Sequence, residues 1–92
     1  MVLMKRLTIT VQGLVQDVGF RAYTQQTAHK FGLTGWVMND PGGTVAITAE
    51  GPKVDLEKLL DWAKHGPARA EVSDVAAEWS EATGEFRGFS VI

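Results

Sequence analysis

The chain contains no cysteine, which excludes disulfides, thiolate zinc sites and a cysteine nucleophile. It also has little net charge. Nine Lys and Arg against eleven Asp and Glu give −2 at pH 7, whereas a nucleic-acid-binding domain of this size is usually basic. No apolar run is long enough to span a bilayer, and Met1 to Arg6 lacks the apolar stretch of a signal peptide. We therefore expect a cytoplasmic protein whose partners include neither nucleic acid nor membrane.

The amino-acid composition is typical of one small folded domain. The 92 residues are 45% hydrophobic and 22% charged, which is typical of a globular chain and not of a disordered one. This length is below that of a typical domain. We therefore predict a single domain over residues 1–92, and we expect a monomer.

Alternating apolar and β-branched residues divide much of the chain into strands. Leu7, Ile9 and Val11 point one way while their polar neighbours point the other, which predicts a half-buried strand. The predicted strands are residues 5–12, 34–39, 44–50, 70–79 and a short terminal segment, 89–91. Residues 40–43, Asp-Pro-Gly-Gly, form a turn that makes the second and third strands a hairpin. The phase shift between Val72 and Val75 predicts either a bulge in the fourth strand or a late start of that strand.

Two segments have apolar residues at the three- and four-residue spacing of amphipathic helices. The first begins at Phe20 and ends at Gly32, and the second is opened by Gly51-Pro52 and stopped by Gly66-Pro67. The predicted buried faces are Phe20, Tyr23, Thr24, Thr27, Ala28 and Phe31 in the first helix and Leu56, Leu59, Leu60 and Ala63 in the second. The order β-α-β-β-α-β, with an added terminal strand, predicts an α+β fold. This is a ferredoxin-like two-layer sandwich in which two helices cover one face of an antiparallel sheet.

The segment from Gly13 to Gly19 connects the first strand to the first helix. Such a glycine-containing loop can turn several backbone N–H groups toward one point, where the helix dipole favours an anion. Arg21 follows in the first helical turn, and its planar guanidinium suits two phosphate oxygens. From glycine spacing alone, an ordinary turn with a surface arginine is the simpler interpretation. The segment lacks the Gly-Lys-Ser/Thr ending of a nucleotide-binding loop, and the fold does not suit a dinucleotide fingerprint.

Asn39 ends the second predicted strand and is the other candidate. Its amide has both a donor and an acceptor and can orient a water molecule without titrating, although starting a turn is the commoner role of such a residue. Lys5 and Arg6 are expected to be a solvated strand start. The two histidines have no carboxylate pattern that indicates metal ligation, and no metal site is predicted.

Two blocks of the sequence resemble a known family. Gly13-Leu14-Val15-Gln16-Asp17-Val18-Gly19-Phe20-Arg21 resembles the acylphosphatase signature G-x-V-Q-G-V-x-F-R, and Gly35-Trp36-Val37-Met38-Asn39 resembles its second block, G-[WY]-V-x-N. Shorter matches at Gly43-Thr44-Val45, Glu50-Gly51-Pro52 and Phe89-Ser90-Val91 extend the likeness over nearly the whole chain.

The resemblance implies hydrolysis of a carboxyl-phosphate anhydride to carboxylate and phosphate, without cofactor, metal or phosphoenzyme. Arg21 would hold the phosphoryl group together with the backbone amides of Val15, Gln16, Asp17, Val18, Gly19 and Phe20. Asn39 would position the attacking water. Small acyl phosphates would be the substrates, and inorganic phosphate or sulfate would be product-like ligands.

Asp17 departs from the signature, which has glycine there. Asp tolerates positive φ better than most residues, so the backbone is expected to survive. A carboxylate about 7 Å from a phosphate repels it by roughly 0.5 to 2 kcal/mol per phosphate charge, for ε between 80 and 20. Asp17 could also cap the helix by accepting the Phe20 N–H that a phosphate would use. We therefore predict a working but weakened site. A second departure is Ile92 in place of the usual terminal tyrosine.

Three alternatives compete with this interpretation. The first is a non-catalytic anion-binding module of the same fold, for which Asp17 is the sole support. The second is a carbamoyl-phosphate domain of a larger maturation protein, which the chain's length and its lack of zinc-finger cysteines disfavour. The third is RNA binding, because RNA-recognition motifs share this element order. The first and third predicted strands have no aromatic residues on which bases could stack, so RNA binding is set aside.

Overall fold

The computed structural model describes residues 2–92 and contains five strands and two helices. The strands are β1 (Met4–Leu14), β2 (Thr34–Asn39), β3 (Val45–Pro52), β4 (Glu71–Glu81) and β5 (Phe89–Val91), and the helices are α1 (Phe20–Lys30) and α2 (Lys53–Ala63). This order confirms the predicted β-α-β-β-α-β arrangement with an added terminal strand. Neither helix in residues 2–92 has the length and apolar character needed to cross a bilayer.

The five strands form one sheet in the order β4-β1-β3-β2-β5. β1 pairs antiparallel with β3 and β4, and β2 pairs antiparallel with β3, which confirms the ferredoxin-like sheet and its central hairpin. The terminal strand β5 instead pairs parallel with β2, so the sheet is mixed at that edge. This pairing brings the last residues of the chain beside the strand that ends at Asn39.

Both helices pack on the sheet face that carries the odd-numbered residues of β1. The buried core on this face comprises Leu7, Ile9 and Val11 of β1, Val45, Ile47 and Ala49 of β3, Val37 of β2, Phe20 and Ala28 of α1, and Leu56, Leu59 and Ala63 of α2. Burying each of the larger side chains contributes about 1.5 to 3 kcal/mol, so the alternation in the strands determines which face receives the helices.

The buried face of α1 is narrower than predicted. Phe20, Thr24 and Ala28 are buried at a spacing of four residues, whereas Tyr23 is 51% exposed. The prediction that Tyr23 belongs to the buried face is therefore wrong. Its ring lies instead beside Gly19, where an added β-carbon would be 3.4 Å from two ring atoms.

The predicted bulge in β4 is confirmed. Gln12 pairs with Asp74 but Gly13 pairs with Val72, so Ser73 is the extra residue. β1 continues two residues beyond its predicted end because Gly13 has a φ of 127° and comes very close to β4; an added β-carbon there would lie 2.1 Å from the Glu71 main-chain oxygen. The connection between β1 and α1 is therefore only residues 15–19, which we call the 15–19 loop.

Gly51 and Pro52 end β3 and lie directly before α2, so the prediction that Pro52 belongs to the first turn of the helix is wrong. Pro52 is the N-cap residue of α2, and its φ of −59° and ψ of 139° are extended backbone. The strand continues this far because Gly51 pairs with Lys5 and Pro52 with Met4.

The connection from β4 to β5 is fastened by a buried carboxylate. Glu50 is 3% exposed, and its oxygens accept hydrogen bonds from the backbone N–H groups of Thr83 and Gly84, both at 2.9 Å. Arg6 donates from Nε to the same carboxylate at 2.7 Å and also pairs with Glu85. The prediction that Arg6 is solvated is therefore wrong, because the β1–β3 register places it opposite Glu50.

Hydrogen bonds keep Glu50 ionised in spite of its burial. Burial alone would raise its pKa, but the donors on Thr83, Gly84 and Arg6 outweigh this and lower the pKa to about 2. Arg6 responds in the opposite direction, because its hydrogen bonds to Glu50 and Glu85 raise its pKa. The ion pair thus attaches the 82–88 connection to the sheet, and this connection leads directly into β5.

Candidate active site

A cavity of about 180 Å³ lies where the 15–19 loop, the start of α1, the end of β2 and strand β5 meet. It is lined by Val15, Asp17, Gly19, Phe20, Arg21, Ala22, Asn39 and Val91. Both candidate residues, Arg21 and Asn39, therefore line one cavity although they belong to different elements. Six residues, Val15 to Phe20, were expected to bind the phosphoryl group through their backbone amides. Of these, Gln16 and Val18 do not line the cavity.

The backbone of the 15–19 loop is left-handed at two positions, Asp17 with φ 62° and Gly19 with φ 81°. The expectation that Asp17 tolerates positive φ is confirmed. Within residues 2–92, the N–H groups of Gln16 to Gly19 donate to no other protein group. Consecutive N–H groups in such a bend, at the positive end of a helix dipole, form a site that favours an anion.

Asp17 does not cap α1. The N-cap residue is Gly19, and α1 has no side-chain hydrogen bond at its N-terminus and no acidic residue in its first turn. The hypothesis that Asp17 occupies the Phe20 N–H is therefore wrong, because the chain passes through Val18 and Gly19 before the helix begins. The orphan donors of the first turn stay free for a ligand at the cavity.

Arg21 is the second residue of α1 and is half-buried. Its Nη1 donates to the main-chain oxygen of Ile92 at 3.0 Å. A guanidinium has five N–H donors in a planar fork, so this one bond fixes its orientation and leaves other donors for a ligand. The residue after β5 therefore helps to position the cation that lines the cavity.

Asn39 ends β2 opposite Val45 of β3. Its Oδ1 is buried and accepts no hydrogen bond from residues 2–92, which is unusual for a buried polar atom. The turn that follows is closed by Asp40, whose N–H donates to Thr44 O at 2.9 Å and whose oxygen accepts from Gly43 N at 3.1 Å. Because Asp40 closes the turn, the amide of Asn39 is not used for that purpose.

The side chain of Gln16 has a role that the sequence pattern did not indicate. Its Nε2 donates to Asp40 O at 2.8 Å and to Thr44 O at 2.9 Å. The side chain therefore joins the 15–19 loop to the turn that follows Asn39. No periodicity or spacing signals such a bond, because both acceptors are main-chain oxygens more than twenty residues away in sequence.

Phe20 anchors the start of α1 in the core. It is 1% exposed, and its ring centroid lies 5.3 Å from that of Trp62 with the planes tilted by 59°. This packing fixes the first turn of α1, so the helix N-terminus is held against the cavity. In the described part of the chain, no three His, Asp or Glu side chains come close enough together to hold a metal ion.

Comparison with known proteins decides the family. The acylphosphatase family model matches residues 7–91. The chain belongs to the acylphosphatase family. An acylphosphatase from Geotalea uraniireducens is 50% identical over 86 residues, which cover 94% of each chain. The crystal structure of acylphosphatase from Bacillus subtilis superposes with a TM-score of 0.92 at 36% identity and covers 96% of this chain and 98% of that one.

Membership of this family makes the chain a hydrolase of acid anhydrides, and the family implies an acyl phosphate as substrate. The same domain also occurs inside longer proteins. A structure of full-length HypF, in a phosphate- and nucleotide-bound form, matches with a TM-score of 0.90 at 26% identity. That match covers all of this acylphosphatase chain but only 12% of HypF.

Proposed function

We propose that the cavity is the active site and that it hydrolyses the carboxyl-phosphate bond of small acyl phosphates. The observation that carries the proposal is that Arg21, Asn39 and part of the 15–19 loop line one cavity, while Asn39 Oδ1 and the N–H groups of Gln16 to Gly19 have no partner within residues 2–92. The guanidinium supplies positive charge, the N–H groups supply neutral donors, and the amide supplies a group that orients water. Inorganic phosphate and sulfate are the product-like ligands of this site.

The phosphoryl group is bound by Arg21 and by the backbone N–H groups from Val15 to Phe20. Charge in the transition state of phosphoryl transfer lies largely on the three equatorial oxygens, so preorganised donors there lower the barrier. Because Ile92 already holds Nη1, the guanidinium loses little freedom when the ligand binds.

Asn39 orients the water that attacks phosphorus. The new bond forms between the water oxygen and phosphorus, and the bond from phosphorus to the carboxylate oxygen breaks. Both water protons stay on the phosphate, so a dianionic acyl phosphate yields a carboxylate and dihydrogen phosphate. The conjugate acid of the leaving carboxylate has a pKa of about 4, so the carboxylate departs without a general acid.

Hydrolysis of acetyl phosphate by three proteins tests this assignment. The wild type should release phosphate well above the uncatalysed rate. Arg21→Ala should lose at least about a thousandfold in kcat/KM, and Asn39→Ala should lose about a hundredfold or more, mainly in kcat. Circular dichroism spectra that match the wild type should show that both variants fold. Retained hydrolysis in Arg21→Ala would mean that the site lies elsewhere.

A non-catalytic anion-binding module is the second candidate, since Asp17 places a carboxylate at the cavity. The hydrolysis assay and a titration with inorganic phosphate together decide between the two candidates. If the wild type binds phosphate but does not hydrolyse acetyl phosphate, and Arg21→Ala loses the binding, the binding module is supported. The single domain over residues 1–92, the monomeric state and the cytoplasmic location stay predictions from composition.

A further inference from the structure

We propose that Gln16 is a positioning residue that sets the distance between the phosphate-binding groups and Asn39. It acts through the turn of residues 40–44, which follows Asn39 directly. The inference rests on the proposed function of the cavity and adds a residue that touches neither substrate nor water. Its side chain lies outside the cavity and joins the site's two halves.

The two bonds of Gln16 use the whole donor capacity of its side chain. A side-chain amide nitrogen has two hydrogens. Here the bonds run to Asp40 O at 2.8 Å and Thr44 O at 2.9 Å, so each hydrogen has its own acceptor. Neither hydrogen is left for a ligand, and the side chain is fixed in orientation by two bonds at a part-buried position.

The acceptors are the same two oxygens that close the turn. Asp40 O also accepts from Gly43 N at 3.1 Å, and Thr44 O also accepts from Asp40 N at 2.9 Å. A carbonyl oxygen has two lone pairs, so each oxygen serves the turn and Gln16 together. The side chain of Gln16 is thus built into the hydrogen-bond pattern that shapes the turn next to Asn39.

The 15–19 loop has few other polar attachments. Within residues 2–92, its remaining protein hydrogen bond runs from Tyr23 N to Gly19 O at 3.1 Å and belongs to the start of α1. Gln16 therefore supplies the polar link between the loop and the turn after Asn39, while Val15 and Val18 supply apolar contact with the core. Without the Gln16 side chain, the loop keeps its core contacts but its position relative to the turn is no longer fixed by hydrogen bonds.

This arrangement predicts separate effects on chemistry and on binding. A misplacement of about 1 Å between reacting groups costs about a hundredfold in rate. Gln16→Met, which keeps the length of the side chain but removes both donors, should lower kcat ten- to a hundredfold. The affinity for inorganic phosphate should change less than about threefold, because Arg21 and the loop N–H groups are kept.

A double-mutant cycle with Asn39 tests the coupling. If Gln16 acts through Asn39, then Gln16→Met should cost little further kcat once Asn39→Ala is present. Gln25→Met is the matched control, because Gln25 Nε2 also donates to a main-chain oxygen, Phe89 O at 2.9 Å, but not to this turn. Its effect on kcat should be additive with Asn39→Ala. Additive losses for Gln16→Met would overturn the proposal.

Gln16→Glu gives an independent measurement. A carboxylate facing two carbonyl oxygens cannot donate, whereas the protonated carboxyl donates one hydrogen bond. The kcat of Gln16→Glu relative to wild type should therefore rise as the pH falls from 8 to 5, and that of Gln16→Met should not. A flat ratio for Gln16→Glu, or failure of both variants to fold, would contradict a positioning role.

These outcomes are distinct from failure of the proposed function. If the wild type does not hydrolyse acetyl phosphate, or if Arg21→Ala does, the proposed function fails before the cycle is measured. If those results hold and the cycle is additive, the proposed function stands and the role of Gln16 does not.

Discussion

The guanidinium of Arg21 is tied to the main-chain oxygen of Ile92 by a bond of 3.0 Å. This bond joins the first helix to the residue after the last strand, and it depends on the parallel pairing of β5 with β2. The 82–88 connection that delivers β5 is in turn fastened to Glu50. The orientation of the Arg21 guanidinium, which lines the cavity, thus depends on contacts at both ends of β5.

Replacing Arg21 by lysine should abolish most activity although the charge is kept. An ammonium group carries its three donors on one nitrogen and has no planar fork, so it cannot pair bidentately with two phosphoryl oxygens while it keeps the bond to Ile92 O. We expect kcat/KM for acetyl phosphate to fall at least about a hundredfold. Arg69→Lys, at an exposed position, is the matched control and should leave kcat/KM unchanged. An Arg21→Lys enzyme close to wild type would show that charge alone suffices.

Removing the charge of Asp17 should tighten substrate binding. Asp17 lines the cavity, is exposed to solvent and repels a phosphate through partly screened charge. We expect Asp17→Asn to lower KM about two- to tenfold, with a smaller effect at high ionic strength. Asp17→Gly should lower KM by a similar factor, because asparagine and glycine both tolerate the positive φ at this position.

The control for Asp17 is Glu57→Gln, which makes the same change in net charge on the exposed face of α2. Its KM should equal that of the wild type. An unchanged or higher KM in both Asp17 variants removes the charge argument. A lower KM in Asp17→Gly alone assigns the effect to the backbone.

Acid should weaken the fold through Glu50. Its pKa is about 2 in the folded protein and near 4.5 when unfolded, so the unfolded chain binds the proton more tightly. The stability that Glu50 contributes is therefore complete above about pH 4.5 and is lost as the pH falls toward 2. The difference in free energy of unfolding between the wild type and Glu50→Gln should therefore shrink by about 3 kcal/mol from pH 7 to pH 2. Denaturant titrations at both pH values measure this, and a constant difference would contradict it.

Gly35 should tolerate no side chain. Its φ is 141°, and an added β-carbon would lie 1.9 Å from the Thr48 main-chain oxygen of the neighbouring strand. Gly35→Ala should therefore lower the free energy of unfolding by at least about 2 kcal/mol. At Gly42 an added β-carbon would have no neighbouring atom within 4 Å, so Gly42→Ala should leave the free energy of unfolding nearly unchanged. Equal stability of the two variants by denaturant titration would count against this close strand approach.

Sequence periodicity predicted the strands that alternate cleanly and missed features that depend on strand register or on helix packing. Leu7, Ile9 and Val11 identified the core face because strand periodicity is a property of single residues. The bond between Arg6 and Glu50 was missed because it follows from the register of β1 against β3, which no local pattern encodes. Tyr23 was misplaced because α1 buries a stripe narrower than its apolar spacing indicates.

The sequence likewise predicted some features of the candidate site and missed others. Arg21 and Asn39 were identified by two motif blocks, and the structure brings them to one cavity. The tie from Arg21 to Ile92 O and the two bonds of Gln16 were not predicted, because their acceptors are main-chain oxygens that every residue has. Gln16 belongs to the first motif block, but the motif does not indicate which oxygen atoms its side chain binds.

A titration with inorganic phosphate, followed by the backbone amide resonances, tests the central claim most directly. The N–H groups of Gln16 to Gly19 should shift on binding, together with the guanidinium of Arg21, because hydrogen bonds form at these donors. Arg21→Ala should remove the saturable shifts while the rest of the spectrum is kept. Saturable binding that leaves the 15–19 loop unshifted, or that persists in Arg21→Ala, would contradict the account.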